Sequence, residues 1–371
     1  MSAKIADVAR ACGVSMATVS RALRNTPGVS PATRSQVQAA AQALGYVMMP
    51  SSAGRSLGTS HRVAITMLGL NTWFFGETLT WLTRRFAEVG LAVEVHVVDH
   101  AAARRTFFAT QATRTRVFGM VLVGLTLSPY ELKALEGMRA PCVGLHTNLP
   151  AGSSVHIDDL ALGRAAAAHL IGLGHRRLAM ICSAPSESSP AHQVSRRRSV
   201  GFWQVVAETG LDASDELQVS GLDTPSGGAT AMARLLSLSP FPSAVFVHSD
   251  EMALGALATA RAAGLDVPQD LSLVSVDDHP LAAVFDLTTF RQDVKAQAMA
   301  TADLLLDLIH QTRQPMQPEV ADPYLIIRHT TAHFPPAGLP AQPRTSGPPP
   351  TSEFAHADPR SDPGRQGRGT P

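Results

Sequence analysis

Between residues 63 and 334, short apolar runs alternate with stretches of helical period, and that alternation leaves few folds open. The apolar runs are Val63–Leu68, Leu91–Val98, Met120–Val123, Val143–Leu145, Leu178–Cys182, Ala244–Val247 and Leu271–Val276. Helical patterns lie between most of them, at Leu79–Val89, Gly163–Leu173 and Met252–Ala263. Strands that are apolar throughout must be covered on both faces, and strand–helix alternation makes the sheets parallel. A region of about 270 residues is long for one such sheet, so two α/β lobes are expected. In this architecture ligands bind beyond the C-terminal ends of the strands or between lobes.

The N-terminus has a different period. Ile5, Val8, Ala9 and Cys12 fall on one helical face, and Gly13 follows as a stop. Ser15 can cap a second helix whose apolar stripe is Val19, Ala22 and Leu23. Ser30-Pro31 opens a third, lined by Val37, Ala40, Ala41 and Leu44 and ended by Gly45. Two short helices joined by a glycine-containing turn make a helix-turn-helix. In that motif the N-terminal end of the second helix enters the major groove. Arg21 can bind guanine with two hydrogen bonds, and Met16 and Ala17 can touch thymine methyl groups. Ser15, Thr18 and Ser20 suit phosphates. Periodicity alone also fits an ordinary three-helix bundle with a solvated basic face.

Charge favours the first reading. The whole chain carries +1, but residues 1–62 hold seven Lys and Arg residues against one acid, Asp7. A basic module on an otherwise slightly acidic chain fits a polyanionic partner, double-stranded DNA. Three distant cysteines, Cys12, Cys142 and Cys182, suggest small buried residues in a reducing compartment, with no disulfide framework and no metal site. No signal peptide and no apolar run of about 18 residues stands out, so a cytoplasmic location is expected, with no membrane partner. Residues 48–62 read as a linker or hinge. Residues 335–371, with ten prolines in 37 positions, cannot supply a core and are expected to be disordered. The expected domains are therefore 1–47, a helix-turn-helix headpiece; 48–62, the hinge; 63–334, the effector-binding and dimerisation domain; and 335–371, the tail. The fold class is α/β with an all-α N-terminal headpiece.

The string from Ile5 to Tyr46 resembles the headpiece of the lactose/galactose-repressor (LacI/GalR) family almost position for position. D-V-A, A-x-G-V-S, T-V-S-R, V-S, T-R and L-G-Y stand at that family's spacings. The resemblance implies that Arg24, Ser30, Thr33 and Arg55 complete the DNA-contacting set. It also implies that Pro50–Leu57 forms a short hinge helix on DNA, with Leu57 wedged into the minor groove. Such a wedge unstacks bases and gains contacts from the kink. Gly54 departs from the family's alanine, and Val47-Met48-Met49 adds two residues before Pro50.

Further matches run through the large region. They include His169-Leu170…Leu173-Gly174-His175-Arg176-Arg177, Arg198-Ser199-Val200-Gly201-Phe202, Ser249–Gly255, Val267–Ser272, Asp277-Asp278 and Leu287–Gln292. They resemble the family's effector domain, which is similar to periplasmic sugar-binding proteins. Carried over by position, the effector site comprises Phe74, Phe75, His146, Arg198, Ser249, Asp277 and Gln292. His146 stands where many relatives have Asp, and Ser249 where Asn is usual. Read by themselves, Arg198 also fits a solvated basic run, Asp277 a turn, His146 a satisfied polar residue, and the two phenylalanines lobe packing. Asp250 reads as the cap of the Met252 helix, and His169 and His175 as structural.

The resemblance implies a homodimeric repressor on a near-palindromic operator, governed by a small molecule of the carbohydrate class. A solute-binding protein without DNA affinity is the second reading, opposed by the headpiece. An enzyme is the third. No G-x-S-x-G elbow, phosphate loop, metal-ligand cluster or G-x-G-x-x-G after a strand supports it, and no cofactor is expected.

Overall fold

The computed structural model describes residues 5–23, 28–44, 62–111, 117–138, 140–149, 153–183, 191–312, 319–321 and 323–334. The expectations for Arg24, Gly45, Gly54, Arg55, Leu57 and the tail lie outside them.

Three helices open the chain: α1 (Ile5–Cys12), α2 (Met16–Leu23) and α3 (Pro31–Ala43). Val8, Val19, Ala22, Val37 and Ala41 form their common core. Gly13 makes the turn after α1 at φ +65°, a conformation open to glycine at little cost. The Ser15 hydroxyl accepts from the Thr18 N–H at 3.1 Å, and that of Ser30 from the Thr33 N–H at 3.1 Å. One expected core residue is outside it: Leu44 follows the end of α3 and is 42% exposed.

The rest divides into two sheets of six strands among the described residues. In chain order the elements of the first lobe are β1 (Arg62–Met67), α4 (Trp73–Glu88), β2 (Ala92–Val97), α5 (Ala101–Thr106), β3 (Gly119–Val123), α6 (Pro129–Glu136), β4 (Cys142–Leu145) and β5 (Ser154–Ile157). There follow α7 (Asp159–Gly172), β6 (Leu178–Ser183), α8 (Ala191–Glu208), β7 (Gln218–Gly221), α9 (Pro225–Leu236), β8 (Ala244–Val247), α10 (Asp250–Ala262), β9 (Ser272–Asp277), α11 (Pro280–Val284) and β10 (Thr288–Arg291). The last elements are α12 (Val294–His310), β11 (Glu319–Ala321) and β12 (Tyr324–Ile326).

The first sheet runs β2-β1-β3-β4-β5-β11 and the second β7-β6-β8-β9-β10-β12. The two orders are the same pattern. Within each, the strands are parallel, except that β12 runs antiparallel to β10. The expected lobes are therefore present, but the chain interleaves them. It passes from the first to the second at Asp158, which caps α7 through the N–H groups of Leu160 and Ala161. It returns after Gln292, because Ala298, Ala302, Leu305 and Ile309 of α12 pack on Val121 and Val143 of the first sheet. It crosses again between β11 and β12.

Candidate ligand cavity and DNA-facing helix

Parallel strands deliver side chains to one edge of each sheet, and here the C-terminal edges of both sheets face a single cavity of about 300 Å³. Leu68 to Phe75 follow β1, Gly124 follows β3 and His146 follows β4. In the second lobe Asp223 lies just beyond β7, His248 and Ser249 follow β8, Asp277 ends β9, and Gln292 follows β10. The volume is at the small end of ligand sites. All seven residues anticipated for the effector line this cavity: Phe74, Phe75, His146, Arg198, Ser249, Asp277 and Gln292.

Helix packing positions the arginine. Gly163 on α7 and Gly201 on α8 each face the other helix so closely that a Cβ would meet the Arg198 or the Leu160 carbonyl oxygen at 2.1 Å. That approach brings Arg198 to Asp159, where its Nε donates at 2.8 Å, while Nη1 donates to the His248 carbonyl at 2.8 Å. Both side chains of this ion pair are buried. Arg198 is thus part of the cavity wall and not of a solvated face. Beside it the Ser195 hydroxyl is 3.0 Å from His248 Nδ1.

The acids of the second lobe have separate tasks. Asp277 accepts from Gln292 Nε2, and burial, with Asp250 nearby, raises its pKa well above the usual range. Asp250 does not cap α10, contrary to the sequence expectation. The Ser249 hydroxyl does so by accepting from the Met252 N–H at 3.3 Å. The Asp250 carboxylate instead gathers the hydroxyls of Ser275 and Thr289 and the N–H of His279, and its burial raises its pKa to about 6. Its side chain thereby ties α10 to β9 and β10.

Aromatic residues close the first-lobe side. Phe74 meets Phe75 and His146 edge to face, with centroids 5.4 and 5.3 Å apart. Burial holds His146 in its neutral form, with a pKa lowered to about 4, and lowers that of His248 well below the usual value. His146, Asp223 and Asp277 adopt φ of 51°, 53° and 126°. Backbone strain of this kind costs on the order of 1–3 kcal/mol per residue and gathers at ligand sites.

Sequence reasoning missed Asp223, His248 and Glu251, which also line the cavity. The available signal was position, since Asp223 and His248 stand within two residues of a strand's C-terminal end and Glu251 in the first turn of the next helix. His169 and His175 are structural, as expected. His169 bonds Thr331, and His175 bonds Ser243 and the Ala332 carbonyl.

On the headpiece, Ser15, Met16, Ala17 and Arg21 are exposed, with Thr18 and Ser20 half-buried. Met16 is 55% exposed at the first position of α2, so its side chain is open to a partner. The Ser15 hydroxyl is also 2.9 Å from that of Thr18, and that of Ser30 2.8 Å from that of Thr33. Among the described residues no group of three or more His, Cys, Asp or Glu side chains could hold a metal ion, and no helix is long and apolar enough to cross a membrane.

A helix-turn-helix unit joined to a two-lobed α/β module with a cleft at its strand ends defines a DNA-binding protein with a ligand-binding domain. The description of bacterial regulatory proteins of the lacI family matches residues 4–48, and that of the periplasmic binding protein-like domain residues 167–331. The chain is 32% identical to the HTH-type transcriptional repressor CytR of Escherichia coli (strain K12), over 90% of this chain and 97% of that one. It is 30% identical to the transcriptional regulator GalR of the same organism, over 89% and 96%. Among solved structures, the lac repressor dimer bound to operator and the anti-inducer ONPF superposes with a TM-score of 0.65 at 25% identity, covering 90% of this chain and all of that one. The transcriptional regulator CelR in complex with cellobiose gives 0.64 at 26%, covering 88% and 99%. The chain belongs to the lacI family of bacterial regulatory proteins, and the relatives named here are transcriptional regulators rather than enzymes.

Proposed function

We propose that this protein represses transcription by binding a near-palindromic operator as a homodimer, and that a carbohydrate in the inter-lobe cavity controls that binding. Residues 1–47 serve as the DNA reader, 48–62 as the hinge and 63–334 as the effector and dimerisation domain, with 335–371 as a Pro-rich tail. Arg21, Met16 and Ala17 read base edges, while Ser15, Thr18, Ser20, Arg24, Ser30 and Thr33 hold the backbone, with Arg55 and Leu57 acting at the hinge. A two-fold dimer presents two such readers to two half-sites.

The observation that carries the effector half of the reading is the convergence of seven anticipated residues, from both lobes, on one cavity. A ligand held by both lobes binds one lobe angle better than another, and only such differential affinity can shift an equilibrium. The cellobiose complex of CelR supports a carbohydrate. The test is a thermal-shift screen of sugars and their derivatives, followed by operator binding with and without each hit. A ligand at 100 times its Kd adds about 2.7 kcal/mol to stability. A hit that stabilises the protein and alters operator affinity supports the proposal. A chain that binds sugars yet ignores DNA contradicts it.

A further inference from the structure

The cavity carries an imbalance of charge. Asp99, Asp223 and Glu251 line it beside Asp277, whose burial favours its protonated form, against one cationic side chain, Arg198, whose counterion is already Asp159. His146 and His248 do not compensate, because burial keeps both neutral. Among the described residues, Asp223, Glu251 and Asp277 have no basic side chain as an ion-pair partner. Asp223 is held by the Ser183 hydroxyl, Glu251 accepts the Trp73 N–H at 3.4 Å, and Asp277 accepts from Gln292.

The polar atoms left over lean the same way. Gln292 is 5% exposed and gives its Nε2 to Asp277, which leaves its Oε1 in the wall without a hydrogen bond. His248 is 2% exposed, and its Nε2 is likewise unpartnered. Gln292 Oε1 is thus an acceptor left over in the wall, while His248 Nε2 donates or accepts according to its tautomer. A hydroxyl both donates and accepts, whereas an ammonium group offers three donors and no acceptor. The ring faces of Phe74 and Phe75 attract a cation as well.

We propose that the ligand of this cavity carries a protonated amine: an amino-substituted sugar or polyol, with its ammonium group at Asp223 and Glu251 and its hydroxyls at Arg198 and Gln292. This rests on the effector-cavity reading above and narrows it. An anionic sugar, phosphorylated or carboxylated, would add negative charge beside carboxylates that already repel one another, so the same wall selects against it.

The test is titration calorimetry on the full-length protein with matched sets. D-Glucosamine, D-galactosamine, D-mannosamine and glucamine are each compared with the neutral parent, the N-acetylated form where one exists, and the phosphorylated parent. At least one amine is expected to bind about tenfold or more tightly than its neutral parent, the gain typical of a hydrogen bond to a charged group. Asp223→Asn should remove most of that preference, while Gln292→Ala should weaken amine and parent together. A panel in which no amine binds more tightly than its neutral and phosphorylated counterparts overturns the proposal, and so does one in which no amine binds at millimolar concentration. If neutral sugars bind and Gln292→Ala abolishes it, the cavity reading survives without the amine. If binding ignores both substitutions, the cavity reading falls too.

Discussion

The backbone N–H of Trp73, at the start of α4 in the first lobe, faces the Glu251 carboxylate of the second lobe at 3.4 Å from each oxygen. The Trp73 ring meets that of His279, also in the second lobe, edge-on with centroids 5.3 Å apart. One residue thus spans the two lobes beside the cavity. Substituting Trp73→Ala keeps the N–H and removes the ring. An aromatic pair contributes about 0.5–1.5 kcal/mol beyond its buried area, so ligand affinity should fall about two- to tenfold. Calorimetry on the variant checks this, and an unchanged Kd would show that the contact does not help hold the lobes closed.

Arg198 touches the cavity while anchoring Asp159, so its loss should act on folding as well as on binding. Removing one partner of a buried ion pair costs about 3–5 kcal/mol, because the other charge is left buried alone. Arg198→Ala should therefore lower the urea midpoint markedly. The double variant Arg198→Met with Asp159→Asn should recover most of that loss while remaining defective in ligand binding. A single variant as stable as the parent would contradict the pairing.

His175 sets a pH dependence. Its ring is buried against Phe334, with Nδ1 3.0 Å from the Ser243 hydroxyl and Nε2 3.3 Å from the Ala332 carbonyl. An Nε2–H donating to that carbonyl leaves Nδ1 to accept from the hydroxyl, so the neutral ring is the satisfied form. Burial lowers the folded pKa to about 4, from an ordinary 6.5. The resulting stability is complete above the ordinary value and is lost as pH falls toward the folded one, up to about 3 kcal/mol. Asp250, raised to about 6 by burial, works in the opposite direction and loses its contribution as pH rises. The difference between parent and His175→Gln cancels the Asp250 contribution. The variant should be less stable at pH 7 and should lose less stability between pH 6.5 and 4. Parallel stability curves for the two proteins would contradict this.

On the headpiece, Arg21 is exposed at the last turn of α2 and passes close to Gly28, where a Cβ would lie 4.0 Å from its Nη1. A bidentate contact to guanine is worth about 1–3 kcal/mol of discrimination. Arg21→Ala should narrow the affinity gap between a selected operator and its single-base variants by that amount, as read by fluorescence anisotropy. Unchanged discrimination would remove Arg21 from base reading.

The strands that sequence patterning finds are the apolar ones, such as Met120–Val123 and Ala244–Val247. β10 escapes it because Thr288 and Thr289 look like loop residues, yet both are fully buried. The Thr289 hydroxyl is satisfied by Asp250, and the backbone N–H of Thr288 by Thr330. β7 escapes because Gln218–Gly221 is short and half polar. The helix Val294–His310 is not read from the sequence, nor is its packing on the sheet of the other lobe through Ala298, Ala302, Leu305 and Ile309. Arg198, Ser249, Asp277 and Gln292 were legible because they sit in recognisable strings of residues, and Phe74, Phe75 and His146 by their position in the family resemblance. Asp223 stands outside those strings and Glu251 inside one, but the place of either side chain in the cavity wall emerges only when the two sheets bring their strand ends together.

The central claim is that the cavity governs the DNA reader. Its most direct test measures operator affinity by anisotropy, with a duplex selected by the protein itself, in the absence and presence of the panel ligand that stabilises it most. Calorimetry then measures that ligand's affinity with and without saturating operator. The two affinities should change by the same factor, as linkage requires of coupled sites, and Gln292→Ala should abolish the coupling at ligand concentrations that saturate the parent. An operator affinity that stays constant while the cavity is occupied would contradict the account.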